Sequence, residues 1–360
     1  MKSVTGRNIT LSLYGESHGK SVGVVVDGLP AGIKVDTDFI IAQLDKRRPK
    51  GKISTQRQEG DKFEITSGVF NGYTTGTPVH ITIENNCQRS SDYQPQLPRP
   101  SHADYAAHIK YAGFEDYRGG GHFSGRLTAP IVAAGAVAID ILRNKGITIG
   151  THIKKCHHIQ DRDFADYAQD IELCNSRYFA TLDQTAGEEM QQFIEKTAAE
   201  CDSVGGVLET AILGLPAGVG EPYFNSLESV LSHYIFSIGG VKGIEFGMGF
   251  GFADCFGSTA NDQFEIRDGK IVTKTNNNGG INGGISNGMP VLFRVAVKPT
   301  PSIFREQDTV NFDTMTSEKL ALTGRHDPAI FHRARVVVDS MTALAVLDLL
   351  IQRYGEEWLR

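Results

Sequence analysis

The chain has 360 residues, 40% hydrophobic and 22% charged, with 36 Lys or Arg against 42 Asp or Glu and a formal net charge of −6. That length supports a full buried core without staples, and an acidic chain lacks the broad positive surface that nucleic acid requires. Five cysteines with no Cys-x-x-Cys pair fit a reduced protein rather than a disulfide framework. The start lacks a signal-type apolar stretch, and the longest uncharged apolar run, Leu127 to Ile139, is too short to span a bilayer, so a cytoplasmic protein with no membrane partner is expected.

In chain order, Ile9 to Tyr14 and Val22 to Val26 read as paired strands flanking Gly15-Glu16-Ser17-His18-Gly19. This turn matches Gly-x-Ser-x-Gly, but a nucleophile elbow needs a strand, a turn and then a helix, so acyl transfer is set aside. His18 is read as a candidate acid or base, against the plainer reading of a surface turn histidine bonded to Glu16 or Ser17. Asp36 or Thr37 caps a helix through Ile40, Ile41 and Leu44 that ends at Lys46-Arg47-Arg48-Pro49, whose charges read by default as solvated. Strands are expected at Phe63 to Phe70 and Val79 to Glu84, then a helix over Ala103 to Tyr111. Arg99 and His102 stand before that helix, facing an incoming anion, with Ser101 as a cap.

Residues 117 to 126, Tyr-Arg-Gly-Gly-Gly-His-Phe-Ser-Gly-Arg, combine four glycines with Arg118, Arg126, His122 and Ser124 and no carboxylate. Glycine lets backbone approach a ligand, and arginine forks match phosphate or carboxylate oxygens, so this is the leading anion-site candidate. It lies in a basic third, with twelve Lys or Arg against eight Asp or Glu over residues 46 to 126, suited to collecting a small polyanion. A buried helix over Thr128 to Arg143 follows. Further helices are expected at Ala186 to Cys201, Leu227 to Phe236 and Arg335 to Tyr354, the last either central or an oligomer contact. Strands are expected at Ile147 to Ile153, Val207 to Leu213, Phe264 to Thr275 and Pro290 to Val297, with a hairpin turn at Asp268-Gly269. The Pro290 strand delivers Lys298-Pro299-Thr300-Pro301-Ser302, a lysine and two hydroxyls suited to a phosphate. Gly324-Arg325-His326-Asp327-Pro328 offers a cation and a carboxylate in one turn, with a structural ion pair as the alternative. Cys156-His157-His158 has no second half to complete a metal site and is read as surface; no metal is expected. The absence of Gly-x-Gly-x-x-Gly and of a P-loop weakens nucleotide readings. Grouped strands with helices between them favour an α+β fold, one domain over residues 1–360 with antiparallel β-sheets sandwiching helices.

Taken in order, Gly-Glu-Ser-His-Gly, Lys-Arg-Arg-Pro, Thr-Gln-Arg, Arg-Pro-Ser-His-Ala-Asp, Tyr-Arg-Gly-Gly-Gly, Ser-Gly-Arg, Val-Lys-Gly-Ile-Glu, Gly-Gly-Ile-Ser-Asn-Gly, Lys-Pro-Thr-Pro-Ser and Arg-His-Asp-Pro resemble the chorismate synthase family over essentially the whole chain. The resemblance implies a homotetrameric lyase that uses reduced FMN to convert 5-enolpyruvylshikimate 3-phosphate to chorismate and phosphate by 1,4-anti elimination, with NADPH as a candidate reductant. It implies that His18 serves the departing phosphate, His102 the protonation of the flavin, and Asp327 the removal of the ring proton, with Ser17 and Ser124 in the same site. Arg47, Arg48, Lys52, Arg99, Arg126 and Arg325 match its arginine and lysine positions around a substrate bearing two carboxylates and a phosphate. Flavin contacts are implied for His122, Phe123, Ser124, Gly239, Gly240, Gly283, Lys298, Pro299, Thr300, Pro301, Ser302 and Arg325. This chain departs from the pattern at Lys46, at Pro49-Lys50, at Gly239-Gly240, at Ala329, and at His122, where the family often carries arginine and the charge here depends on pH. A flavin-independent enzyme acting on a phosphorylated metabolite and an anion-binding module remain as alternatives.

Overall fold

A computed structural model describes residues 3–55, 60–86, 94–324 and 326–359. Two five-stranded antiparallel sheets enclose a layer of helices, as the pairing of strands in the sequence implies. The first sheet runs in the order Val4–Thr5, Thr10–Gly15, Ser21–Asp27, Val79–Glu84, Phe63–Ser67. The second runs Val241–Phe246, Val291–Val297, Gly206–Leu213, Thr148–Cys156, Ile159–Gln160. Alternation sets the register: Val22, Val24 and Val26 point to the core from the first sheet, and Val291, Phe293, Val295 and Val297 from the second.

The helix Thr128–Asn144 is apolar on nearly every face because it packs on the first sheet on one side and on the C-terminal helix on the other. Pro130 lies in its first turn, where a missing N–H leaves no hydrogen bond unmade. The stretch Arg118–Asn144 is long and apolar enough by composition to cross a membrane, yet 83% of its most apolar window is buried inside the protein. The C-terminal helix Phe331–Tyr354 begins one turn earlier than its apolar pattern implies and lies centrally against the second sheet. Its buried Asp348 accepts hydrogen bonds from the backbone N–H groups of Arg7, Asn8 and Ile9 at 3.1, 2.6 and 3.1 Å, tying the end of the chain to its first strands.

The helix Thr37–Arg47 starts where Asp36 accepts from the Phe39 N–H at 2.9 Å and stops because Arg48, preceding Pro49, is extended. Expected elements are refined at several points. Phe63 to Phe70 is not one strand: pairing shifts register after Ile65, and Val69–Phe70 joins Tyr73–Thr74 in a separate ribbon. Phe264 to Thr275 folds into a hairpin about Asp268 (φ 51°) and Gly269 (φ 73°). Cys156 is buried, which pushes its thiol up to about 12, while His157 and His158 are exposed.

The two central helices meet at Gly135. A Cβ there would sit 2.2 Å from Cβ and 2.6 Å from Cα of Ser340, so any side chain forces the helices apart. Gly135→Ala should therefore lower unfolding free energy by about 1–3 kcal/mol, the range for overpacking, read as a fall in the urea midpoint; an unchanged midpoint would show that the helices separate freely.

Candidate active site

The glycine-rich loop forms a short 3₁₀ segment, Arg118–Phe123, broken by three consecutive left-handed glycines at φ 64°, 83° and 53°. Space explains each one. A Cβ on Gly119 would lie 2.6 Å from the His18 ring and 2.8 Å from Ser17 Oγ; on Gly120, 3.2 Å from His102 Cε1; on Gly121, 2.0 Å from the Asp116 carbonyl oxygen. The loop is therefore a bare strip of backbone with His18 against one glycine and His102 against the next. The Ser17 N–H donates to the Gly121 carbonyl at 3.0 Å and locks the strip to the turn between the first paired strands. His18 is 5% exposed, so it is not a surface turn histidine, and Ser17 Oγ is buried without a hydrogen-bond partner.

His102 and Arg99 converge on Asp104, the first residue of the helix Asp104–Tyr111. Arg99 donates to both carboxylate oxygens, from Nε at 2.7 Å and Nη2 at 2.8 Å, and His102 Nδ1 lies 2.5 Å from Oδ1. Burial alone would raise the Asp104 pKa, but the hydrogen bonds from Arg99 and His102 outweigh it and hold the group well below the usual carboxylate range. Ser101 does not cap this helix; it sits at φ 60°, and its carbonyl accepts from Lys298 Nζ. Burial, with Lys242 nearby, lowers the Lys298 pKa.

A second cluster is fully buried. Asp61, whose side chain has no exposed surface, binds Arg47 at 2.8 Å through one oxygen and Arg126 through the other. Arg126 also donates to Asn85 Oδ1 at 2.8 Å and to the Glu84 carbonyl at 2.9 Å. The charges in Lys46-Arg47-Arg48 are thus not uniformly solvated: Arg47 is buried, because a carboxylate waits for it. Two guanidiniums share this one carboxylate. Burial would raise the Asp61 pKa; the two arginines reverse this and lower it.

Two cavities open on either side of residues 118–126. One, of about 530 Å³, is lined by Arg99, Asp104, Gly120, His122 and Phe123 together with the aromatic rings of Tyr14, Tyr111, Phe114 and Phe312. The other, of about 230 Å³, is lined by Arg47, Thr55, Ser124, Arg126, Gly239, Asp327 and Arg333. Asp327 accepts from Arg333 Nη1 at 2.6 Å and from the Thr55 N–H at 2.8 Å at a cavity wall, an ion pair with a helix residue outside the turn.

Other expected residues fall elsewhere. Arg118 is held by Asp116 at 2.8 and 2.9 Å and contributes no open fork. Arg48 reaches Asp45 and the Gly60 carbonyl, Lys52 is exposed, and neither is among the residues lining these two cavities. Gly240 accepts from the Lys298 N–H at 2.9 Å; Pro299, Thr300, Pro301 and Ser302 follow, with Thr300 Oγ1 buried and without a hydrogen-bond partner. Gly283 turns a small hairpin, Ile281–Asn282 with Ile285–Ser286, and lines neither cavity. Arg325 and the Arg57 of Thr-Gln-Arg lie outside the described residues. Asp61, Asn85, Asp104 and Arg333 carry the geometry without having been singled out as site residues. Only Asp104 and Arg333 had a signal, a charge close in sequence to a named partner.

An α+β sandwich with an arginine-lined cavity and a second, mixed-charge cavity containing Arg99 and His122, joined by one glycine loop, suits an enzyme that binds small anions. The family model for chorismate synthase matches residues 9–351. The chain is 46% identical over 350 residues to a protein named chorismate synthase from Pyrococcus abyssi, covering 97% of each. It is 45% identical to one from Dehalococcoides mccartyi, covering 98% of this chain and 97% of that protein. A crystal structure of chorismate synthase superposes with a TM-score of 0.78 at 28% identity, covering 99% of this chain and 96% of the other. The chain belongs to the chorismate synthase family, a family of lyases.

The Asp61 cluster yields a prediction. Asp61→Asn leaves two buried guanidiniums without their counter-charge and should lower unfolding free energy by about 3–5 kcal/mol, measured by urea denaturation at neutral pH. Because the folded-state pKa is depressed, the Asp61 contribution is complete above the ordinary carboxylate range and is lost as pH falls through the folded value. The gap between wild type and variant should therefore close in acid.

Proposed function

We propose that this protein converts 5-enolpyruvylshikimate 3-phosphate to chorismate and inorganic phosphate by 1,4-anti elimination, with reduced FMN and no net redox change. One observation carries the reading: two imidazoles, His18 and His102, stand against the bare strip Gly119–Gly121, and Gly120 of that strip lines a cavity of about 530 Å³. In the reaction a ring C–H bond and the C–O bond to phosphate break, the C–H electron pair becomes part of the new diene, and phosphate leaves with the C–O pair. The protein must therefore hold a trianionic substrate, receive one proton and serve one departing phosphate.

The residues suit these tasks. Arg47, Arg99 and Arg126 are already oriented by Asp61 and Asp104, so binding a substrate with two carboxylates and a phosphate need not order them afresh. Arg48, Lys52 and Arg325 complete the cationic set assigned to that substrate. On this reading His18 passes a proton to the phosphate, His102 keeps the reduced flavin suitably protonated, and Asp327 works in removal of the ring proton, with Ser17 and Ser124 as hydroxyl donors. The site also fits reduced FMN. Ligand pockets run to roughly 300–1,000 Å³; the larger cavity lies in that range, has aromatic walls and a glycine strip open to close approach, and Ser17 Oγ and Thr300 Oγ1 are buried donors without partners. His122 to Ser124, Gly239, Gly240, Gly283, Lys298 to Ser302 and Arg325 would hold it. When bound, reduced FMN lends electron density that helps the C–O bond break. The assembly proposed for the protein is a homotetramer. A cytoplasmic location accords with the free thiols of Cys156, Cys174, Cys201 and Cys255.

Purified protein mixed anaerobically with chemically reduced FMN should release phosphate from the substrate, and His18→Ala and His102→Ala should each lower turnover by about 10²–10⁴-fold, the range for general acid–base groups, with unchanged melting. No phosphate from folded wild-type protein overturns the reading, and turnover without flavin replaces it with a flavin-independent enzyme. NADPH as sole reductant tests whether the protein reduces its own flavin.

A further inference from the structure

Asp104 has no assigned part in the chemistry, yet it is the point on which Arg99 and His102 converge. Four contacts define it: the Arg99 N–H donates to Oδ2 at 3.0 Å, Arg99 Nε to Oδ2 at 2.7 Å, Arg99 Nη2 to Oδ1 at 2.8 Å, and His102 Nδ1 lies 2.5 Å from the same Oδ1. Arg99 Nη2 and His102 Nδ1 are themselves 3.1 Å apart. Taken alone, that distance permits Nδ1 to be an acceptor from arginine. The carboxylate decides otherwise. An ionised carboxylate only accepts, so a nitrogen 2.5 Å from it must carry the proton, and the arginine and imidazole are close because they share one acceptor oxygen. Burial opposes ionisation of Asp104, but the Arg99 and His102 hydrogen bonds overcome it and keep the group ionised well below the usual carboxylate range.

We infer that Asp104 is a positioning residue that keeps a proton on His102 Nδ1 and so aims Nε2 at the Gly120 backbone and the bound ligands. Nε2 faces that strip: a Cβ on Gly120 would lie 3.4 Å from it. The arrangement is a carboxylate–imidazole pair in which the far nitrogen does the work and the near one is held. The other charged groups around the ring are Arg99, Lys298 with Nζ on the Ser101 carbonyl, and His18 against the neighbouring Gly119. None of them can replace Asp104: two are cations, and His18 approaches a different glycine. The same carboxylate aligns the Arg99 fork, so one side chain sets the direction of a cation and an imidazole together.

The functional part of this inference rests on the chorismate synthase reading, and the test separates the two. Nitrogen-15 correlation spectra of histidine-labelled protein at neutral pH should show His102 as a single Nδ1–H tautomer in wild type and as a mixture in Asp104→Asn. Loss of an outer partner of this kind typically lowers activity by about 10–100-fold; turnover of Asp104→Asn should fall by that amount, while melting stays near wild type. In a His102→Ala background the same change should lower turnover by clearly less than it does in the wild-type background, because residues that act as a unit are not additive, and the loss that remains is the part Asp104 plays through Arg99; an equal loss in both backgrounds overturns the inference. A wild-type His102 in the Nε2–H form, or an Asp104→Asn variant that leaves tautomer and turnover unchanged, overturns the inference. Should Asp104→Asn fail to fold, Asp104→Glu keeps the charge while displacing it and should again mix the tautomers; an undisturbed tautomer there overturns the inference too. A wild-type enzyme with no phosphate release but a single Nδ1–H tautomer lost in Asp104→Asn would refute the functional reading and leave the positioning role standing.

Discussion

Everything about the site depends on a stretch of backbone that no side chain can enter. At Gly119 and Gly121 an added Cβ meets a neighbour at 2.6 and 2.0 Å, and all three glycines adopt left-handed φ that other residues reach only under strain. Alanine at Gly119 would displace the His18 ring; alanine at Gly121 would collide with the Asp116 carbonyl, which is backbone and cannot swing aside. The strip therefore works by exclusion. Because it is thin, imidazoles from residues 18 and 102 stand against consecutive positions of it, and the segment that continues from it, Ser124 to Arg126, forms the wall of the second cavity. Flexibility is the wrong description of these glycines, since the Ser17 N–H to Gly121 carbonyl bond and their fit against His18 and His102 leave them one conformation.

A second pattern recurs through the molecule: a buried or half-buried carboxylate gathers two or more donors, from distant segments at Asp61 and Asp348 and from its own neighbourhood at Asp104. Asp61 takes Arg47 and Arg126, Asp104 takes Arg99 and His102, Asp327 takes Arg333 and the Thr55 backbone, and Asp348 takes three backbone N–H groups near the start of the chain. Burying a lone charge is strongly unfavourable, whereas a carboxylate with two or more charge-assisted bonds is tolerated and becomes directional. In the core this stitches helix to strand. At the cavities the same device orients arginines before any ligand arrives. The same chemistry thus produces stability at Asp348 and a preformed anion site at Asp61; what differs is whether a cavity adjoins.

How legible all this was in the sequence follows from which forces are local. The helix Thr37–Arg47 was readable from Asp36, its apolar spacing and Pro49, and the hairpin at Asp268-Gly269 from turn chemistry, because those signals lie within a few residues of what they determine. The strand Val241–Phe246 was missed because a bulge at Gly243 interrupts its alternation, the hairpin Gln307–Asn311 with Thr316–Leu320 because its residues are mostly polar, and the helix Tyr167–Ser176 because it is short and polar on most of its surface. The glycine loop, His18, Arg99 and His102 were visible as unusual composition. Asp61 was not: a single aspartate in a polar loop gains its meaning only when the chain brings Arg47 and Arg126 to it. His152 is similar, an unremarkable strand residue that is buried between Asp161 at 2.8 Å and Glu209 at 3.0 Å, whose hydrogen bonds raise its pKa against the opposing effect of burial.

His122 ties the glycine loop to the start of the chain. Its Nδ1 lies 2.8 Å from the Gly15 carbonyl, which can only accept, so that nitrogen carries a proton; its Nε2 lies 2.9 Å from Ser3 Oγ, which can donate or accept. The ring is held at both nitrogens, one by the end of the strand that leads into the turn of Ser17 and His18 and one by the residue before the first strand. The piece of wall it contributes to the larger cavity is therefore oriented by partners from outside the loop.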